Sequence, residues 1–235
     1  MELRAFGPAE HETWSLLFDG QAPLRDQQIV SHFGEGLEAL GMDRARIPTL
    51  SDVNARLRER TGFRGVPVAG LEEHEAFFRL LADRCFPIGN FIRDRRDLSY
   101  TPAPDVFHDL YGHVPFLANR DYADFCAAFG ALAGQLATTP EKVTRLARFF
   151  WFTIEFALVQ TQHGRRIFGA GIASSKKECA FALSDEPEVR PFSVQAVCDQ
   201  DFRIDKLQNV LFELRAPEQL YASLPALERI VRAVN

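Results

Sequence analysis

Cysteine is scarce, and its spacing never pairs. Cys85, Cys126, Cys179 and Cys198 include no C-x-x-C, so neither a disulfide framework nor a structural zinc site is expected. They read as small buried hydrophobes in a reducing cytoplasm. Blocks of basic residues are also missing. Lys+Arg number 27 against 32 Asp+Glu, a net charge of −5, which gives nucleic acid no electrostatic footprint. No apolar run approaches the roughly 18 residues of a membrane span. The richest, Phe149 to Val159, is broken by Thr153 and Glu155. The start, Met1-Glu2-Leu3-Arg4, lacks the basic head and apolar core of a signal peptide. Repeats, low-complexity tracts and long linkers are lacking, so residues 1–235 read as a single domain. What is abundant is phenylalanine: 21 Phe against 4 Tyr and 2 Trp. That much Phe fills a core, lines a pocket, or both.

The periodicity is mostly helical. Ile29, Phe33, Leu37 and Leu40 share a helical face with Gly41 as a stop. Ser51 is expected to cap a helix carrying Val53 and Leu57 and ending at Gly62. Glu72 to about Arg84 predicts a helix. Phe86 to Tyr100 reads as loop with at most a short strand. Asp105 is placed to cap a short helix through His108, and Tyr122, Phe125, Cys126 and Phe129 mark another. Thr139-Pro140-Glu141 is a strong helix opening, with the helix expected to reach about Gln162. Gly164, Gly169 and Gly171 mark turns, and Ser175-x-x-Glu178 fits a capping box. Val189 to Val197 and Phe202 to Leu214 predict short strands. Pro217 opens a last helical segment that Pro225 interrupts.

Three residues point to metal chemistry. His108 and His113 are five apart, which on a regular helix separates them by about 140°. They converge on one ion only if the helix ends or distorts between them, and Gly112 permits that. Zinc peptidases use a spacing of four with a Glu base, whereas Asp109 follows His108 here. Glu155 lies in the most apolar stretch, where an unpaired carboxylate would cost several kcal/mol or be neutralised. Two imidazoles and a carboxylate form the facial triad of non-haem Fe(II). On spacing alone, Glu155 on a wet helix face and two surface histidines fit equally well.

Longer motifs decide the family. Phe91-Ile92-Arg93, Tyr100-Thr101-Pro102-x-Pro104-Asp105-x-x-His108-Asp109-x-x-Gly112-His113-Val114-Pro115, Trp151-Phe152-Thr153-Ile154-Glu155-Phe156 and Gly169-Ala170-Gly171-x-x-Ser174-Ser175 resemble the pterin-dependent aromatic amino acid hydroxylases. Thr61-Gly62-Phe63-Arg64-x-x-Pro67-Val68-Ala69-Gly70-Leu71 fits as well. The resemblance runs in order from about Thr13 to Leu214, and is to the bacterial type, a bare catalytic domain.

The resemblance implies a mainly α fold with small β elements (α+β), a basket around a mononuclear iron site. It implies His108, His113 and Glu155 as iron ligands and so as the catalytic centre. It implies Arg93, Thr101 and Ser174 around the substrate carboxylate, and Pro104 and Trp151 around its ring. Phe77 matches the residue stacked on the pterin, and Gly70 and Leu71 the loop touching it. Asp109 stands on the pterin side in place of Glu, and Glu72 and His74 also depart from the animal pattern. Trp151, and Ile204 as an apolar pocket wall, favour L-phenylalanine over tyrosine, since an apolar wall leaves a hydroxyl unpaired. Fe(II), a tetrahydropterin and O2 are the implied cofactors and co-substrate. The expected partner is a small aromatic amino acid, with no nucleic acid or membrane, and a monomer is expected because no heptad tail exists. A metal hydrolase and a non-catalytic iron-binding relative are the other readings.

Overall fold

Why the chain turns where it does is clearest at its helix ends. The computed structural model describes residues 2–98 and 103–234. Helix α1 (Pro8–Gln28) is followed by α2 (Ser31–Leu40), which buries Phe33, Leu37 and Leu40 and stops at Gly41, left-handed at φ 64°. Ile29 lies outside that helix and bridges to Ile167. In α3 (Leu50–Thr61) the cap is Thr49, not Ser51. The Thr49 hydroxyl accepts from the Asp52 amide, two residues earlier than expected.

Strand β1 (Arg64–Val68), α4 (His74–Ala82) and β2 (Cys85–Gly89) form a small parallel β-α-β unit. The chain then reaches a π-helix, Phe107–His113, continued by α5 (Val114–Leu117). Asp105 does cap this helix, accepting from the His108 amide at 3.0 Å, but the helix runs well past His108. Helices α6 (Arg120–Leu136) and α7 (Pro140–Phe150) follow, the latter capped by Thr139.

The expectation of a helix to Gln162 is overturned. The α-helix ends at Phe150, a π-turn covers Trp151–Glu155, and strand β3 (Ala157–Thr161) begins. Ala157, Leu158 and Val159 are buried in the core on both faces of β3. It pairs with β4 (Gly164–Ile167) and with a later strand in the sheet. A continuous apolar run is what a strand buried on both faces requires, and periodicity cannot separate it from a buried helix.

Helices α8 (Ala170–Ala173) and α9 (Lys176–Ala182) come next, with Ser175 capping α9 through the Glu178 amide. The segment expected as strand from Val189 splits. Only β5 (Glu188–Pro191) is extended, and α10 (Val194–Asp199) is helical. Likewise only β6 (Val210–Leu214) of the second segment is strand. Residues 200–209 form a loop folded around Gln208, whose amide donates to the Arg203 and Lys206 carbonyls at 2.7 Å each. The sheet order is β4-β3-β6-β5. Helices α11 (Pro217–Tyr221) and α12 (Leu224–Arg232) end the described chain, Pro225 sitting in the first turn of α12. One continuous apolar core joins helices and sheet. The helices surround a mainly α architecture with small sheets. Among the described residues no helix is long and apolar enough to cross a membrane.

Candidate metal and substrate site

The two π-segments do what a regular helix cannot. In the first, the Val114 amide bonds to the Asp109 carbonyl; in the second, the Phe156 amide bonds to the Trp151 carbonyl at 2.9 Å. Both are five-residue steps, and such a step brings residues five apart close to one face. His108 and His113 therefore converge without a helix break. Gly112 contributes close approach rather than a bend. A Cβ there would lie 2.9 Å from the Ala170 carbonyl oxygen and 2.9 Å from Ser174 Cβ.

His108, His113 and Glu155 bring their ligand atoms within 4.8 Å of one another. The two Nε2 atoms are 3.1 Å apart. His113 Nε2 lies 3.0 Å and His108 Nε2 3.8 Å from the Glu155 carboxylate. Glu155 is buried, which overturns the wet-face reading. Its burial pushes the carboxyl pKa up, yet His113, His108 and the Gly171 amide together hold it below its ordinary value. Burial pushes the His108 pKa down to about 4, with Glu155 pulling the other way, so the ring is neutral at pH 7. Ser174 orients that ring. Its hydroxyl donates to the Gly171 carbonyl at 3.1 Å and lies 3.0 Å from His108 Nδ1. With its only proton used, the hydroxyl accepts from Nδ1–H, which leaves the Nε2 lone pair facing Glu155 and His113. The His113 ring stacks on Phe86 at 4.5 Å.

This donor set fits a divalent metal. A cation about 2.1 Å from three donors at right angles sets them about 3 Å apart, close to the observed spacings. The two imidazole nitrogens and the carboxylate crowd one buried space, which a cation would bridge.

Arg93 is not the solvated surface residue its neighbours Arg95 and Arg96 would suggest. It is 8% exposed. Its Nε donates to Asp105 Oδ2 and its Nη2 to Oδ1, each at 2.8 Å, and Nη1 donates to the Leu98 carbonyl at 3.3 Å. Among the described residues, one N–H on each terminal nitrogen has no acceptor. Asp105, expected only as a cap, has a second role that the sequence did not reveal. It ties the Arg93 amide and guanidinium to the His108 amide. Its one legible signal was the capping position.

The ring-pocket residues divide. Trp151 is half-buried, sandwiched between Phe156 at 4.6 Å and Phe202 at 4.4 Å. Phe202 was not anticipated. Pro104 is exposed, and Thr101 lies outside the described residues. Ile204 corrects an expectation. It is 76% exposed, in the loop around Gln208, and forms no buried apolar wall. On the other side, Phe77 sets its edge against Phe150 at 4.9 Å and meets Phe86, which carries His113. Gly70 is exposed and Leu71 is 77% exposed. Asp109 is buried, and its Oδ2 accepts from the Gly89 amide at 2.6 Å. Burial pushes its pKa well above the ordinary carboxyl value.

The family model described as biopterin-dependent aromatic amino acid hydroxylase matches residues 4–227. The chain belongs to this family. Phenylalanine-4-hydroxylase of Pseudomonas aeruginosa is 40% identical over 212 residues, covering 90% of this chain and 80% of that protein. The enzyme of the same name from Chromobacterium violaceum is 38% identical over 220 residues, covering 93% and 74%. A crystal structure of the latter, holding iron(III) and 7,8-dihydrobiopterin, aligns with a TM-score of 0.91 at 37% identity. It covers 98% of this chain and 84% of that one. Family membership makes the metal hydrolase reading untenable.

Proposed function

We propose that this chain is an iron- and tetrahydropterin-dependent monooxygenase that converts L-phenylalanine to L-tyrosine. The observation that carries the reading is the buried convergence of His108, His113 and Glu155 within a chain of this family. Relatives named phenylalanine-4-hydroxylase align over nine-tenths of the chain, which supports the substrate. Residues 1–235 act as one catalytic domain. The four buried free cysteines support a cytoplasmic setting, and a monomer is expected in solution.

His108, His113 and Glu155 would hold Fe(II) on one face, leaving positions open. The iron, with O2 and the reduced pterin, supplies the oxidising chemistry when bound. The protein's own residues do the rest. Ser174 keeps His108 in the tautomer that presents Nε2. The two free N–H groups of Arg93 form a fork for the substrate carboxylate, pre-aligned by Asp105. By the family resemblance, Thr101 is expected to assist Arg93 and Pro104 to border the substrate ring. Trp151, held between two rings, offers the substrate ring its edge. Phe77, Gly70 and Leu71 offer an aromatic and apolar surface to the pterin, with Asp109 beneath. The phenylalanine-rich lining excludes water from the reacting ring.

The test is anaerobic loading with Fe(II), then O2, L-phenylalanine and a tetrahydropterin, with products read by mass spectrometry and chromatography. L-Tyrosine formed only with all components is the expected result. His108→Ala and Glu155→Ala are expected to fold, lose iron and make no product; full activity in either refutes the site. Pterin consumed without tyrosine would assign the chain another aromatic amino acid. Iron binding without pterin binding would make it a non-catalytic relative.

A further inference from the structure

The segment that carries Arg93 is held from both sides. On its inner side the Phe91 carbonyl accepts from the Val106 amide at 2.8 Å, and the Arg93 amide donates to Asp105 at 2.8 Å. On its outer side lies the N-terminal arm before α1. The Arg4 amide donates to Asn90 Oδ1, and Arg4 Nε donates to the Asn90 carbonyl, both at 2.9 Å. The rest of the Arg4 guanidinium is gripped by Glu10. The same Glu10 carboxylate accepts from the Gly7 amide at 2.8 Å and so anchors the arm to the first turn of α1. Leu3 and Phe6 pack against the core, and the Arg4 guanidinium lies 4.3 Å over the Phe6 ring. A second tether joins Arg95 to Glu12 at 2.7 Å. Arg93 thus sits between two attachments, three residues after one and two before the other.

We infer that the N-terminal arm is a positioning strap for substrate: Arg4, through Asn90, fixes where Arg93 presents its fork. A bidentate fork depends on direction, and a misplacement of about 1 Å at a positioning group can cost a hundredfold in rate. Asp105 fixes the guanidinium relative to the helix of His108. With the Phe91–Val106 bond it holds this segment from the inner side only, and the arm supplies the outer constraint, at Asn90. Neither Arg4 nor Asn90 touches the metal ligands, so the strap acts on the amino acid alone. The inference rests on the proposed role of Arg93.

The experiment uses the iron-loaded enzyme with saturating pterin and O2. Arg4→Ala removes the Nε bond, and Asn90→Leu removes the acceptor for the Arg4 amide. Each is expected to raise KM for L-phenylalanine by roughly fivefold to tenfold with kcat within about twofold. Inhibition by 3-phenylpropionate, which has the carboxylate, weakens in parallel. Inhibition by phenethylamine, which lacks it, does not change, and neither does Fe(II) affinity. Asn90→Asp keeps an acceptor and retains wild-type KM. Equal loss for both inhibitors would mean a merely structural contact and would overturn the strap, as would an unchanged KM in both variants. Arg93→Lys separates the two ideas. It should raise KM for L-phenylalanine while sparing phenethylamine. If it does so and the arm variants do not, the strap fails and the reading of Arg93 stands. If Arg93→Lys leaves KM unchanged, the reading of Arg93 fails and the strap with it.

Discussion

Asp105 has no exposed surface, yet it accepts from four donors: the Arg93 amide, Nε and Nη2, and the His108 amide. Burial pushes its pKa up, but the Arg93 hydrogen bonds and charge and the two amides hold it below the ordinary value. A depressed carboxyl contributes stability that is full above its unfolded pKa of about 3.9 and is lost as pH falls through the folded value. Asp105→Asn keeps the shape and removes the charge, leaving Arg93 buried and unpaired. The expected cost is about 3 kcal/mol, read by urea unfolding at pH 7. Acid sensitivity below about pH 4 should also diminish in the variant. An unchanged midpoint would show that Arg93 finds solvent instead. The sequence displayed half of this residue's work. The cap on His108 is a local pattern three residues long, whereas its pairing with Arg93, twelve residues away across a turn, follows no period.

At the scale of elements, the site depends on two π-segments packed against α8. Gly171 shows how tight that packing is. A Cβ there would lie 2.7 Å from Glu155 Oε2 and 3.1 Å from the Glu155 carbonyl oxygen. Gly171→Ala must therefore push the carboxylate away from the two imidazoles. We expect the folded variant to lose most of the thermal stabilisation that added Co(II) gives the wild type. That stabilisation is about 2.7 kcal/mol at a hundredfold excess over Kd. Equal stabilisation of variant and wild type would show that Glu155 is not needed for binding. The five-residue spacing of His108 and His113 was legible as a demand for distortion. That the distortion is a π-helix, and that Glu155 ends a second one, was not. Both depend on which carbonyl each amide chooses, and apolar neighbours such as Phe152 and Ile154 suit helix, π-turn or strand alike. The abrupt change to β3 was hidden for the same reason: Ala157, Leu158 and Val159 are buried on every side, so no periodicity marks them.

For the molecule as a whole, two half-buried groups outside the site push stability in opposite directions with pH. His32 lies edge-on to Phe116 and Phe168 at 5.5 and 5.7 Å, and its Nε2 is buried without a partner among the described residues. Burial lowers its pKa to about 4, with Glu35 opposing. A histidine neutral in the fold but titrating near 6.5 when unfolded contributes stability that is full above about 6.5. That stability is lost as pH falls toward 4, by up to about 3 kcal/mol. Glu178 on α9 is the converse. Burial raises its pKa to about 7, with Lys177 opposing, so the fold favours its neutral form. The stability this confers is full below about 4.5 and is lost as pH rises to 7. Unfolding free energy measured across pH 4 to 8 should therefore peak between about 5 and 6.5. Glu178→Gln should raise stability at pH 7.5 by on the order of 2 kcal/mol while leaving pH 4.5 unaltered. His32→Leu should make the acid limb shallower, with the His108 share remaining, and leave the neutral limb in place. If Glu178→Gln lowers stability at pH 7.5, the carboxylate is ionised and partnered in the fold, and the alkaline limb has another source.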